Sequence, residues 1–219
     1  MQRLCTSGLL LAVIFSAGEA ARAHDDPSRP AKSTAGTASS DPRGPARTIG
    51  AVAIASPAES VRLDGELNDA VWAKAVPVVD FVQRDPKEGG TPTHPTEVRV
   101  AYDNSAIYVA VRAMEPDQDR LVGMLTRRDE GSPSDWIRVA FDSYLDRRTA
   151  YEFSVNVAGV KQDRYWFADT NNDPGWDAVW DVAVRRGVDQ WSAEFKIPFS
   201  QLRFNPSAVG TFGFSVTRS

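Results

Sequence analysis

The segment Trp191-Ser-Ala-Glu-Phe-Lys-Ile197 alternates apolar and polar side chains. Trp191, Ala193, Phe195 and Ile197 fall on one face of a strand, and Ser192, Glu194 and Lys196 on the other. The second face is expected to be wet. Runs with the same period of two occur at residues 97–102, 107–114, 136–141, 151–157 and 211–217. Turn signals lie between them at Asp103-Asn104-Ser105, Glu115-Pro116-Asp117, Gly131-Ser132-Pro133, Ala158-Gly159 and Asn205-Pro206. No long stretch has helical periodicity. Short helical turns are expected at residues 68–73, with Asn68 or Asp69 as cap, and at residues 198–202. Strands at this spacing predict an all-β fold, an antiparallel β-sandwich with one or two short helical turns.

The alternation is confined to the later part of the chain. Residues 1–23 read as a signal peptide: Arg3 gives a positive start, residues 9–15 an apolar run, and Ala21-Arg22-Ala23 a cleavage site before His24. The apolar run is too short to span a bilayer, which takes roughly twenty residues. Residues 24–47, rich in Asp, Pro, Ser, Ala, Thr and Gly, have almost nothing to bury and are expected to form a disordered linker. The sandwich is assigned to residues 48–219. Export to the periplasm, the outer membrane or the exterior follows from the leader. The only cysteine, Cys5, lies inside it, so the processed protein would hold no disulfide.

Composition narrows the function classes. A chain of 219 residues, 42% hydrophobic, can bury one sizeable core. A net charge of -4 with evenly spread Lys and Arg argues against a nucleic-acid partner. The two histidines, His24 and His94, make a catalytic zinc site a poor fit. No Ser-His-Asp set, phosphate loop or dinucleotide fingerprint is present, and no motif singles out a carboxylate pair for glycoside hydrolysis. Catalysis is not expected of this domain.

Five motifs follow one another in a recognisable order: Leu63-Asp-Gly-Glu-Leu-Asn-Asp-Ala-Val-Trp72, Glu97-Val-Arg-Val-Ala-Tyr-Asp103, Ala106-Ile-Tyr-Val-Ala-Val111, Asp135-Trp-Ile-Arg-Val-Ala-Phe-Asp142 and Trp191-Ser-Ala-Glu-Phe-Lys-Ile-Pro198. In this order they resemble family 9 carbohydrate-binding modules, jelly-roll-like sandwiches appended to secreted glycoside hydrolases. Arg127-Arg-Asp129, Asp146-Arg-Arg-Thr-Ala-Tyr151 and Ile197-Pro-Phe-Ser-Gln-Leu-Arg-Phe204 look like motifs of a subgroup in which the module precedes an outer-membrane barrel of unknown function. The resemblance implies a non-catalytic carbohydrate-binding module serving polysaccharide breakdown. Any associated activity would be hydrolysis of O-glycosyl bonds. The subgroup implies an alternative, a structural sandwich that binds no sugar and has the barrel as its partner.

Sugar-binding members of the family clamp a pyranose between two tryptophans. One lies just before the strand that begins here at Asp135, where this chain has Glu130-Gly-Ser-Pro133; the other lies beyond the strand ending at Arg218. Direct carry-over fills neither position. A single sugar of roughly a dozen heavy atoms, at about 0.3 kcal/mol per atom, reaches only millimolar affinity, so other aromatics must supply the stacking surface.

The candidates are Tyr165, Trp166 and Trp176, beside the polar loop Asp169-Thr-Asn-Asn-Asp-Pro-Gly175, with Arg128 and Asp129 as hydrogen-bonding partners for hydroxyls. Trp72, Trp180 and Trp191 are expected to plug the core. Asp169, Asn171 and Asp173 at alternate positions resemble half of an oxygen-ligand loop for structural calcium, although Asx turns explain most such clusters. The charges at residues 127–135 and 142–148 are expected to tie adjacent loops by ion pairs.

Overall fold

The computed structural model describes residues 6–15, 47–168, 170–204 and 210–219. Two sheets enclose one core. The first runs β10 (Asp181–Arg186), β11 (Gln190–Pro198), β5 (Ala106–Met114), β4 (Thr96–Tyr102) and β2 (Thr48–Ala53). The second runs β12 (Thr211–Arg218), β6 (Trp136–Asp142), β7 (Ala150–Asn156), β8 (Lys161–Phe167) and β9 (Asn171–Asp173). Neighbours are antiparallel except β2, which is parallel to β4. The all-β sandwich expected from the sequence is therefore the fold. All six strands read from alternation agree with the structure to within one residue at each end.

The apolar run of the expected leader is itself a strand in the full chain. β1 (Thr6–Phe15) lies antiparallel to β12 and parallel to β2, joining the sheets along one seam, and β3 (Val82–Asp85) pairs with its beginning. The expected cleavage site and residues 24–46 of the expected linker lie outside the described residues.

The core is built from inward-facing aliphatics and a bridge of rings. Ile137, Val139 and Phe141 of β6 and Phe153 and Val155 of β7 are fully buried, as are Phe195 and Ile197 of β11. Trp180 stacks on Phe195 at 5.9 Å and meets Phe153 edge-on at 5.3 Å, so one indole ties the two sheets together. Burying such a side chain contributes about 4–6 kcal/mol before the entropy of ordering is set against it. Trp72 and Trp191 are also buried.

The outer face of β11 is not the wet surface its alternation suggests. Ser192 is 5% exposed and Glu194 0%. The reason is the stretch leading into α1 (Ala70–Lys74), which lies across this face with Val71, Trp72 and Ala75 packed on Ala101, Tyr108 and Ala110. Glu194 is the fastening. Its Oε1 accepts from Trp72 Nε1 at 2.8 Å, and its Oε2 accepts from Gly65 N at 2.7 Å and Asp64 N at 3.2 Å. Ser192 Oγ donates to Gly65 O at 2.7 Å. Asp69 occupies the helix N-cap position but makes no side-chain cap bond; its Oδ2 accepts from Arg62 N at 3.0 Å.

Gly65 has φ +79°, and a Cβ there would sit 3.0 Å from the backbone of Arg185 and Val184. Left-handed strain and backbone overlap both oppose a side chain. Gly65→Ala is expected to lose about 2 kcal/mol of stability, read as a lower urea midpoint with unchanged slope.

Candidate functional site

β8 carries the candidate chemistry on two faces. Register pairs Tyr151 with Tyr165 and Ala150 with Trp166, so Tyr165 faces inward and Trp166 outward. Tyr165 lies 5.2 Å from Tyr151, whose other side meets Trp176 at 5.1 Å; Trp176 also touches Phe153 at 5.8 Å. Trp176 and Tyr165 are thus half-buried members of the core margin. They cannot form a clamp with Trp166, which lies across the sheet.

The inward face at the start of β8 holds a charged knot. Asp163, 1% exposed, accepts from Arg128 Nη2 at 2.6 Å and Trp180 Nε1 at 3.1 Å through Oδ1, and from Ala178 N at 2.6 Å through Oδ2. Arg128 also donates to Ala178 O at 2.6 Å and approaches Asp177 at 2.8 Å and Asp129 at 3.5 Å. Burial opposes the charge of Arg128, yet the bond and field of Asp163 raise its pKa. Asp129, with φ 65°, accepts from Asp163 N at 3.0 Å, and burial pushes its pKa up.

Arg128 and Asp129 are therefore already engaged in joining loops. Asp163 was legible only as one acid among many, because nothing local marks an aspartate at an inward position. Beside the knot, Leu125, Thr126, Arg128, Gly159 and Lys161 line a shallow open recess. Lys161 Nζ lies 4.8 Å from the Trp180 ring centre and donates to Trp180 O at 2.5 Å; burial, then the charge of Arg128, lowers its pKa.

The outward face is different in character. Across β12, β6, β7 and β8 it presents Gly213, Ser215 and Thr217, then Arg138 and Ala140, then Ala150 and Glu152, then Arg164 and Trp166. Most of these side chains are small, and the half-buried Trp166 stands at one end of the row; Ser154 and Gln162, on the same face beside Arg138, are buried. Its Nε1 donates to Glu152 Oε2 at 3.1 Å, which anchors the indole to the neighbouring strand. Glu152 Oε1 lies 3.9 Å from Arg164 Nη1 and accepts from Ser154 Oγ at 3.3 Å. Arg138 rests over Trp136 at 5.7 Å and donates to Ser219 Oγ at 2.8 Å. Glu152, Arg138 and Arg164 were not among the residues expected from the sequence. Their period-two spacing with Trp166 was the available signal.

The expected calcium loop contains a strand. Asn171 and Asp173 belong to β9, exposed and paired with β8, and Asp173 Oδ1 accepts from Gly175 N at 2.9 Å; Asp169 lies outside the described residues. Among the described residues, no group of three or more acidic, His or Cys side chains is arranged to hold a metal ion. The charges near residues 142–148 act mainly as turn caps: Asp142 accepts from Asp146 N and Arg147 N, and Asp146 from Arg148 N and Thr149 N.

No family model matches the sequence, and no curated protein matches it. Among the solved structures similar to it are two of a family 9 carbohydrate-binding module from Caldicellulosiruptor kristjanssonii. The one in complex with glucose shares 17% identity at TM-score 0.49, over 73% of this chain and 81% of that one. The one in complex with cellotriose shares 17% identity at TM-score 0.50, over 76% and 81%. At this identity the likeness is one of architecture: the chain has a sandwich fold like that of the family 9 carbohydrate-binding modules.

Proposed function

We propose that this domain is a non-catalytic carbohydrate-binding module of an exported protein, and that its contact surface is the outward face of β6, β7 and β8. The observation that carries the reading is Trp166: a half-buried indole at the end of a row of mostly small side chains, pinned by Glu152 and flanked by Arg164. A pyranose has an apolar C–H face and a rim of hydroxyls. An indole takes the first, and carboxylate and guanidinium groups take the second. The complex with cellotriose formed by a protein of this architecture supports the reading.

Titration of the protein with cellotriose and with xylan and mannan oligosaccharides is expected to change tryptophan fluorescence saturably. Trp166→Ala is expected to weaken binding at least tenfold, while Trp176→Ala leaves affinity within about threefold and lowers stability instead. A Trp166→Ala protein that binds like the parent would remove the proposed surface.

Asn171 and Asp173 are the described oxygen ligands available to a structural calcium ion. Running the same titration with calcium and with a chelator tests that role directly. Export by the leader predicts a mature N-terminus at His24 by mass spectrometry. The same cleavage would take β1 from its place beside β12.

A further inference from the structure

Resting on the contact surface just described, we infer that its preferred ligand is an acidic glycan, with a uronate carboxylate seated between Arg138 and Arg164. Arg138 is half-buried at the middle of the sheet face. Among the described residues it makes no ion pair, its contacts being the Trp136 ring and the Ser219 hydroxyl. A cation withdrawn from water without a counter-charge is an uncommon arrangement. Burial is the first cause of its lowered pKa; Glu152 opposes the change, and the like charges of Arg164 and Arg84 add to it.

Glu152 does not discharge this field. Its carboxylate is already shared by the Trp166 indole, the Ser154 hydroxyl and, at 3.9 Å, Arg164. The guanidinium of Arg164 keeps a side-chain exposure of 29%, so donor positions remain open to solvent. Residues two apart on a strand are about 7 Å apart, which puts Arg164 one ring's reach from an occupant stacked on Trp166. A carboxylate is planar and accepts two parallel N–H bonds from a guanidinium fork, and neutral hydroxyls gain no such charge assistance.

The test is isothermal titration of the full chain with trigalacturonic acid and with the same trisaccharide fully methyl-esterified, at low and at high salt. The acid is expected to bind at least tenfold more tightly at low salt, with most of that margin lost at high salt. Arg138→Gln should abolish the preference by bringing the acid's affinity down to that of the ester, and Arg138→Lys should restore part of it. If Arg138→Gln does not fold, the same comparison is made with Arg164→Gln, which should lose the preference and its salt dependence. Equal binding of acid and ester would overturn the inference and leave the sugar surface standing. Binding of neither of these nor of any neutral oligosaccharide by folded protein would remove both.

Discussion

Glu194→Ala is expected to destabilise the fold by about 3–5 kcal/mol, measured as the loss of unfolding free energy in urea. The carboxylate takes three N–H groups, from Trp72, Gly65 and Asp64, at a position with no exposure to solvent. Charge-assisted bonds contribute about 1.5–3 kcal/mol each, and truncation leaves the donors buried without acceptors. Against a usual total of roughly 5–15 kcal/mol the loss is large. Far-UV spectra of what remains folded should show the β-sandwich intact while α1 is detached. A variant as stable as the parent would show that Glu194 does not hold the α1 segment on the sheet.

The same carboxylate gives stability a pH dependence. Burial raises its pKa above the ordinary value of 4.5, outweighing the three donors. The folded state therefore holds its proton more tightly than the unfolded state does. The associated stability is full below pH 4.5 and falls as pH climbs through the folded pKa, by at most about 1.4 kcal/mol per pH unit. Glu194→Gln, which cannot ionise, should therefore lose the parent's decline over that interval. Unchanged curvature in the variant would assign the decline to another group.

Asp163→Ala is expected to cost a similar amount, about 3–5 kcal/mol, for a different reason. Removing the acid takes from Arg128 its buried carboxylate, leaving it the more exposed Asp177 and Asp129, and leaves Ala178 N and the Trp180 indole without an acceptor. Adding Arg128→Leu to Asp163→Ala should recover part of the loss, since the guanidinium that lost its buried partner goes with it. Thermal melts of the two single variants and the double variant provide the cycle. Additive losses would mean that the pair is not coupled.

The strongest strands were legible because their environment is simple. β6 and β12 each set one face against the core, and each apolar face writes its own period into the sequence. β8 was missed because its inward positions begin with Lys161 and Asp163, polar groups satisfied only by Trp180, Arg128 and Ala178 from distant segments. β10 is an edge strand, mostly half-buried or exposed, and short β2 divides its pairing between two neighbours. The candidate site divided in the same way. Trp166, Trp176, Tyr165, Arg128 and Asp129 are near one another in sequence or space, yet a single alternation along β8 sends Trp166 outward and Tyr165 inward. The ring contacts of Tyr151 then draw Trp176 to the inner side.

The sequence by itself determined the class of fold, the borders of six strands and the helical turn around Trp72, because each follows from side chains a few residues apart. The tertiary structure alone decided that Glu194 faces an indole instead of water, that Asp163 is the hub of an inward charged knot, and that Trp166 shares a surface with Arg138, Glu152 and Arg164. Those outcomes depend on which strands become neighbours and on what lies across each face, and the contacts that settle it join segments far apart in sequence, 130 positions for the bond between Asp64 and Glu194.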